Sequence, residues 1–180
     1  MNAIALNRAH PHPNIAAVHE AGQTEAGCPY TVMEWIDGSP INEWCDRHRA
    51  TGEQRLELFR ECCDAVAFAH RRAVFHADLK PSNVLVRTED GKPCTKVIDF
   101  GLARTLHQNE SRLEGDEADV MSDGTLHSLL GTPSYMSPEQ AGPRGTLVDT
   151  RADVYGLGAM LYVLLVGVPA LDIPADSTLC

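Results

Sequence analysis

Two short extended runs open the readable part of the chain. Ile15 to Glu20 reads as a strand, with Ala21-Gly22-Gln23 starting a turn, and Pro29 to Ile36 reads as a second strand ending at the turn pair Asp37-Gly38. The polar loop Thr24 to Cys28 between them predicts a hairpin. Ahead of it, Ala3 to Leu6 fits a helix end, stopped by His10-Pro11-His12-Pro13. The period then changes. Ile41 to His48 is a short helical stretch with Trp44 on its apolar side. Thr51-Gly52-Glu53-Gln54 fits a capping box, and Leu56, Phe59, Cys63, Val66 and His70 recur at helical spacing. Together they predict one amphipathic helix over 52–72, whose negative pole Arg71 and Arg72 would suit.

Period two returns at Val84 to Arg87 and Thr95 to Ile98, two short strands around the turn Glu89-Asp90-Gly91-Lys92. Asn83 immediately precedes the first strand and Asp99 immediately follows the second. An antiparallel pair therefore puts both side chains at the same open end, where two oxygen ligands can share one hard cation, Mg²⁺. Residues 102–130 keep no period and are rich in polar residues. Residues 131–142 are turn-rich and lead to a short helix, and Thr150 to Asp153 lead into an apolar helix over 154–166. The uncharged run Val154 to Leu171 reaches the length of a membrane span. Gly156, Gly158, Gly167 and Pro169 interrupt it, and Arg151 and Asp153 abut it, so a buried core helix is the preferred reading.

Composition narrows the class. A chain of 180 residues, 43% hydrophobic and 22% charged, suits one globular domain. A formal net charge of -10 argues against nucleic acid or an anionic membrane as partner. Much of the acid lies in one run, Glu110 to Asp123, which reads as a solvated loop. The six cysteines form no CxxC pair, which points to buried or free thiols in a reducing cytosol. Met1 to Ile15 lacks the basic start and apolar centre of a secretory signal, so a cytoplasmic protein is expected.

The chemistry-bearing residues cluster in order. His76-x-Asp78-x-Lys80-Pro81-x-Asn83 is followed by Asp99-Phe100-Gly101, then by Gly131-Thr132-Pro133-x-x-Met136-Ser137-Pro138-Glu139. Each piece alone is common; their conjunction is specific. Phosphoryl transfer needs a placed hydroxyl, metal bridging of the phosphates and a cation on the developing charge. Asp78 can accept the hydroxyl proton, Lys80 can face the transferred group, and Asn83 and Asp99 can hold the metal. His76 and Phe100 read as packing residues. A metal hydrolase using His76, Asp78 and Asp99 is a weaker reading, since further ligands at metal spacing are missing.

From about residue 12 to 170 the chain resembles the serine/threonine protein kinases, especially bacterial ones of the eukaryotic-like type. The resemblance implies an α+β, protein-kinase-like fold: mostly the helical C-terminal lobe, with a remnant of the N-terminal lobe sheet. Residues 1–36 would be that remnant and the start of the hinge, and 37–180 the C-terminal lobe through its central helix. It also implies transfer of the ATP γ-phosphoryl group to a Ser/Thr hydroxyl of a protein substrate, with ATP and Mg²⁺ as cofactors. Asp78 resembles the catalytic aspartate, and Lys80-Pro81 the pair typical of serine/threonine kinases. Thr132 resembles the threonine that bonds the catalytic Asp and Lys. Met33 falls at the gatekeeper position, with Glu34-Trp35-Ile36 as the hinge whose Glu34 and Ile36 backbone would bond adenine. Leu85 would be the apolar floor beneath it. Glu139 resembles the glutamate that ends the activation segment, and Asp153 an aspartate that bonds the catalytic-loop backbone.

Departures qualify the implied activity. No glycine-rich loop and no Val-Ala-x-Lys strand precede the hinge, and the family's last helices do not follow residue 180. The expectation is a kinase fragment with a partly bare central helix, prone to aggregate alone. The alternative is a catalytically dead kinase-like binding module or gene remnant. Ala77 stands where most of the family has arginine, which predicts little dependence on phosphorylation at Thr125 or Ser128.

Overall fold

The computed structural model describes residues 11–100, 133–141 and 148–171. Thr132, Thr125, Ser128, Cys180 and the helix end expected at Ala3 to Leu6 lie outside them. Strands β1 (Val18–Gln23) and β2 (Pro29–Met33) pair antiparallel as a two-stranded sheet. Strand β3 (Ser39–Pro40) joins β4 (Val84–Glu89) and β5 (Lys92–Val97) in a second, antiparallel sheet of order β3-β4-β5. Helices α1 (Ile41–Arg47), α2 (Gly52–His70), the short α3 (Pro138–Ala141) and α4 (Thr150–Val166) complete the described elements.

The first hairpin forms where expected, shifted along the chain. β1 begins at Val18 rather than Ile15 and continues through Ala21-Gly22-Gln23, which the sequence reading assigned to a turn. Tyr30 explains the difference. It sits opposite Gly22, and a Cβ on Gly22 would lie 2.8 Å from the tyrosine oxygen. The ring occupies the space a side chain would fill, so glycine here extends the strand instead of breaking it. The reversal falls at Thr24 to Cys28, where Gly27 takes φ +80°. β2 stops at Met33, three residues short of the expected end, and leaves Glu34 to Gly38 as an irregular connector.

Helix α2 starts on the predicted capping box: Thr51 Oγ1 accepts from the Gln54 amide at 3.2 Å, and the Thr51 amide donates to Gln54 Oε1 at 2.9 Å. Its buried face differs from the predicted stripe. Leu58, Cys62, Ala65, Val66 and Ala69 are buried, while Leu56 is 47% exposed. Val66 is shared with the stripe; the helix packs against both β5 and α4, so close approach also buries the small Cys62, Ala65 and Ala69 beside Leu58. Arg55 ties three helices together, donating to the Leu164 carbonyl at 3.0 Å and to Asp46 at 2.7 Å.

The second hairpin follows expectation closely. Asp90 (φ +49°) and Gly91 (φ +77°) form a two-residue turn with both residues left-handed, the type that matches strand twist. Val84, Val86, Thr95 and Val97 face the core, and Leu85, Arg87, Cys94 and Lys96 face the other way. The outer edge of β5 is closed by residues 14–16: Ala16 donates to Val97 at 2.9 Å, and Val97 to Asn14 at 2.8 Å. Glu61 of α2 adds its carboxylate, accepting from the Thr95 amide (2.8 Å) and hydroxyl (2.9 Å).

Helix α4 begins at Thr150, four residues before the predicted start, because Asp149 caps it by accepting from the Arg151 amide at 2.8 Å. Gly167, at φ +87°, ends it. One face is buried through Ala152, Asp153, Gly156, Met160, Val163 and Leu164. The other leaves Val154 61%, Tyr162 43%, Leu165 54% and Val166 55% exposed. The helix is thus half core and half bare, and no described helix is long and apolar enough to cross a membrane. Such a patch favours self-association. Replacing Val154 and Leu165 together with lysine is expected to raise the concentration at which the chain stays monomeric. Light scattering would follow this, with an unchanged urea midpoint as the control for folding.

Candidate active site

The loop Val74 to Asn83 leaves α2 and enters β4, and one buried carboxylate sets its shape. Asp153, in the first turn of α4, accepts from the His76 amide at 2.8 Å and from the Ala77 amide at 2.7 Å. The His70 ring approaches the same carboxylate, Nε2 to Oδ2, at 2.7 Å. Asp153 is 1% exposed, so these contacts replace the water it has lost. Ala77 takes φ +63°, a left-handed conformation costly for a residue with a Cβ. Its amide is held by Asp153, and its carbonyl accepts from the side-chain amide of Gln140. Gln140 in turn accepts from the Ser137 amide at 3.1 Å, so it joins the start of α3 to the loop.

His76 packs, as the sequence suggested. Its Nε2 faces the Ile98 carbonyl at 2.8 Å and its Nδ1 faces the Asp78 amide at 3.3 Å. A carbonyl only accepts and an amide only donates, so the ring is the neutral tautomer with its proton on Nε2. The Phe100 ring lies against it, with centroids 4.9 Å apart.

Asp78, Lys80 and Asn83 come together. Lys80 Nζ lies 2.8 Å from Asp78 Oδ2, and the Asn83 side-chain amide donates to the same oxygen at 3.1 Å and to the Asp78 carbonyl at 2.8 Å. Asp78 Oδ1 keeps no partner among the described residues. The Asn83 carbonyl accepts from the Ile98 amide at 3.0 Å, continuing the hairpin ladder one step past Val84 and Val97. Asp99 is the next residue, turned out of the strand at φ +61°. Asn83 and Asp99 therefore stand at one end of the hairpin, as its geometry predicted.

Those two residues fit a hard cation. Asn83 spends its amide hydrogens on Asp78, leaving its Oδ1 and the Asp99 carboxylate without partners among the described residues. Two such ligands suit Mg²⁺, which takes few protein oxygens and completes its shell with phosphates and water. No group of three or more His, Cys, Asp or Glu suited to a metal occurs among the described residues.

The hinge positions lie alongside. Met33 ends β2, and Glu34 carries paired contacts, its amide donating to Ala17 at 2.7 Å. Its carboxyl is held below the usual range: burial raises it, but the Ala17 amide, Lys96 and Arg87 together outweigh that. The Glu34 carbonyl and the Ile36 amide have no partner among the described residues. Leu85 is half-buried on the hairpin face turned away from α2. Trp35 is 87% exposed. The cysteines behave as expected: Cys28, Cys45, Cys62, Cys63 and Cys94 are free, and burial pushes the Cys62 thiol strongly up.

Residues 2–178 match the family model of the protein kinase domain. The chain belongs to the protein kinase family. It is 37% identical over 172 residues to the serine/threonine-protein kinase PknB of Mycobacterium leprae, covering 93% of this chain and 24% of the relative. It is 38% identical over 157 residues to the serine/threonine-protein kinase Pkn1 of Myxococcus xanthus, covering 87% and 20%. The chain thus spans about a quarter or less of the length of these relatives. Among solved structures, the Mycobacterium tuberculosis PknI kinase domain superposes with a TM-score of 0.66 at 24% identity, over 97% of this chain and 59% of that one. A double mutant of that domain gives 0.63 at 26% identity, over 89% and 53%. The protein-kinase-like α+β fold follows.

Two positioning residues escaped the sequence reading. Gln140 carries no motif signal, since a glutamine after Pro138-Glu139 means nothing until α3 is docked. Gly156 was noted only as a helix interruption. A Cβ there would lie 3.0 Å from Leu79 Cβ and 3.1 Å from its carbonyl oxygen, so the missing side chain lets α4 touch the kinase loop. Glu139 is half-buried, which spares it the cost of a fully buried lone charge. Asp153→Ala would strand the His76 and Ala77 amides, with an expected loss of about 3–5 kcal/mol in urea unfolding. Gly156→Val should cost about 1–3 kcal/mol through overpacking against Leu79.

Proposed function

We propose that this chain carries the catalytic loop of a serine/threonine protein kinase that uses ATP and Mg²⁺ to phosphorylate a protein Ser/Thr hydroxyl. The observation that carries the reading is the Asp78–Lys80–Asn83 constellation, hydrogen-bonded at the end of the hairpin that continues into Asp99. Asp78 offers Oδ1, the oxygen that Lys80 and Asn83 do not hold, to the substrate hydroxyl, orients that hydroxyl and takes its proton. Lys80 and Asn83 hold the other carboxylate oxygen, which fixes the direction in which Oδ1 points. Lys80 swings from Asp78 to the transferred group as negative charge develops there. Asn83 and Asp99 would hold Mg²⁺, which when bound neutralises the phosphate oxygens of ATP. Thr132 would brace Asp78 and Lys80. At the hinge, the Glu34 carbonyl and Ile36 amide would read the adenine edge, with Met33 behind it and Leu85 beneath. Residues 1–36 would form the N-terminal lobe piece and hinge, and 37–180 the C-terminal lobe. Free thiols and a need for ATP suit a cytoplasmic setting.

Mg·ATP should bind the chain and support autophosphorylation, which Asp78→Asn lowers by about 10²–10⁴-fold. Radiolabel transfer measures this, and equal signals from both proteins would favour a binding module without catalysis. Because Ala77 offers no cation to a phosphorylated loop, replacing Thr125 and Ser128 with alanine is expected to leave the rate nearly unchanged in the same assay. A large loss would contradict this.

A further inference from the structure

The charged face of the second hairpin has no part in the reaction as described. Two side chains and one backbone amide converge there on Glu34. Arg87 donates to Glu34 Oε1 at 3.2 Å, and Lys96 to Glu34 Oε2 at 3.2 Å, where the Ala17 amide also donates at 3.1 Å. Arg87 is braced from its far side by Glu89 at 3.1 Å. We propose that Arg87 and Lys96 are positioning residues for the nucleotide, clamping the hinge through the Glu34 carboxylate onto the hairpin that bears Asn83 and Asp99. This deepens the nucleotide reading of the hinge and rests on it.

Several observations separate the clamp from an ordinary surface ion pair, which contributes little. The side chains of Lys96, Glu34 and Arg87 are only 10%, 24% and 25% exposed, so screening by water is reduced. Arg87 Nε is buried without a partner among the described residues, so the guanidinium keeps its place despite an unmet donor. Leu85 shares the face of Arg87, two residues on, and of Lys96, its cross-strand partner. The surface proposed to lie under adenine and the clamp on the hinge are therefore parts of one rigid face.

The near end of the hinge also carries backbone restraints: Met33 pairs with Val18, and Ile36 is buried further along. At its far end, Gly38 presses on β4, where a Cβ would lie 2.6 Å from the Val86 carbonyl oxygen, and Ser39 pairs with Val86. At its near end the anchors are the Glu34 amide bond to Ala17 and the carboxylate clamp. Between the two anchors stand the Glu34 carbonyl and Ile36 amide, unpaired among the described residues, whose separation from the metal-bearing end is set by the hairpin. Without the clamp, backbone pairing alone holds the near anchor, and the register of adenine with the phosphates loosens.

The test compares the starting chain with Arg87→Ala, Arg87→Lys, Glu34→Gln and Asp99→Asn. Calorimetry measures binding of adenosine, which reads the hinge alone, and of Mg·ATP. Hydrogen exchange over residues 33–38 reads hinge order in the free protein. Arg87→Ala and Glu34→Gln should weaken adenosine and Mg·ATP equally, by about tenfold, a typical worth of one charge-assisted contact. Exchange at 33–38 should rise in both. Arg87→Lys should recover most of the affinity, and Asp99→Asn should weaken Mg·ATP alone. Glu34→Gln is isosteric and keeps its Ala17 contact, so it reports even if Arg87→Ala fails to fold. If folded variants bind adenosine within about twofold of the starting chain, with exchange unchanged, the clamp has no positioning role and the nucleotide reading stands. If the starting chain binds neither ligand, the nucleotide reading fails and the positioning role with it.

Discussion

A single carboxylate decides the shape of the loop Val74 to Asn83. Asp153 lies in α4, yet its oxygens take the amides of His76 and Ala77, and the His70 ring closes over it. The loop cannot supply these contacts itself, because consecutive amides converge on one point only when an acceptor holds them there. The left-handed backbone of Ala77 is tolerated because Asp153 grips its amide and Gln140 its carbonyl. With Ala77 fixed, Asp78 emerges toward Lys80 and Asn83, and the His76 ring falls where it can bond Ile98. Helices α2 and α4, the loop and the hairpin thereby share one polar joint inside an apolar core.

The hairpin carries that geometry outward. Its inner face is apolar and rests on α2, and its outer face carries Leu85, Arg87 and Lys96. Its open end presents Asn83 and turns Asp99 out of the ladder. A two-stranded ribbon alone would be marginal. β3 pairs with Leu85 and Val86 on one edge, and residues 14–16 with Glu61 hold Thr95 and Val97 on the other, so both strands are braced next to the open end. A rigid ribbon of this kind suits chemistry that depends mostly on placement.

Much of this was legible in the sequence because the decisive signals are local. The capping box at Thr51, the turn at Asp90-Gly91 and the spacing of Asp78, Lys80, Asn83 and Asp99 each lie within a few residues or one hairpin. What escaped depends on tertiary partners. The stripe through Leu56, Phe59, Cys63, Val66 and His70 has the right period for α2 and finds Val66, but the buried face is rotated to Leu58, Cys62, Ala65 and Ala69 because two neighbours approach it closely. Gly22 reads as a turn until Tyr30 lies across it, and Gly156 reads as a break until Leu79 lies against it. Glu61, Gln140 and the Glu34 contacts are polar residues whose partners stand far away in the chain, and no window of sequence holds both ends.

The distance between Asp153 and the loop also orders events during synthesis. The residues that Asp153 holds are made first, and 77 positions separate it from His76. At roughly 5–20 residues per second, the loop waits about 4–15 s for its anchor to be translated. Through that interval α2 and the hairpin can form on local contacts, while the His76 and Ala77 amides lack the carboxylate that holds them. The ribosome therefore delivers the acid, lysine and amide of the loop well before it delivers the residue that aligns them.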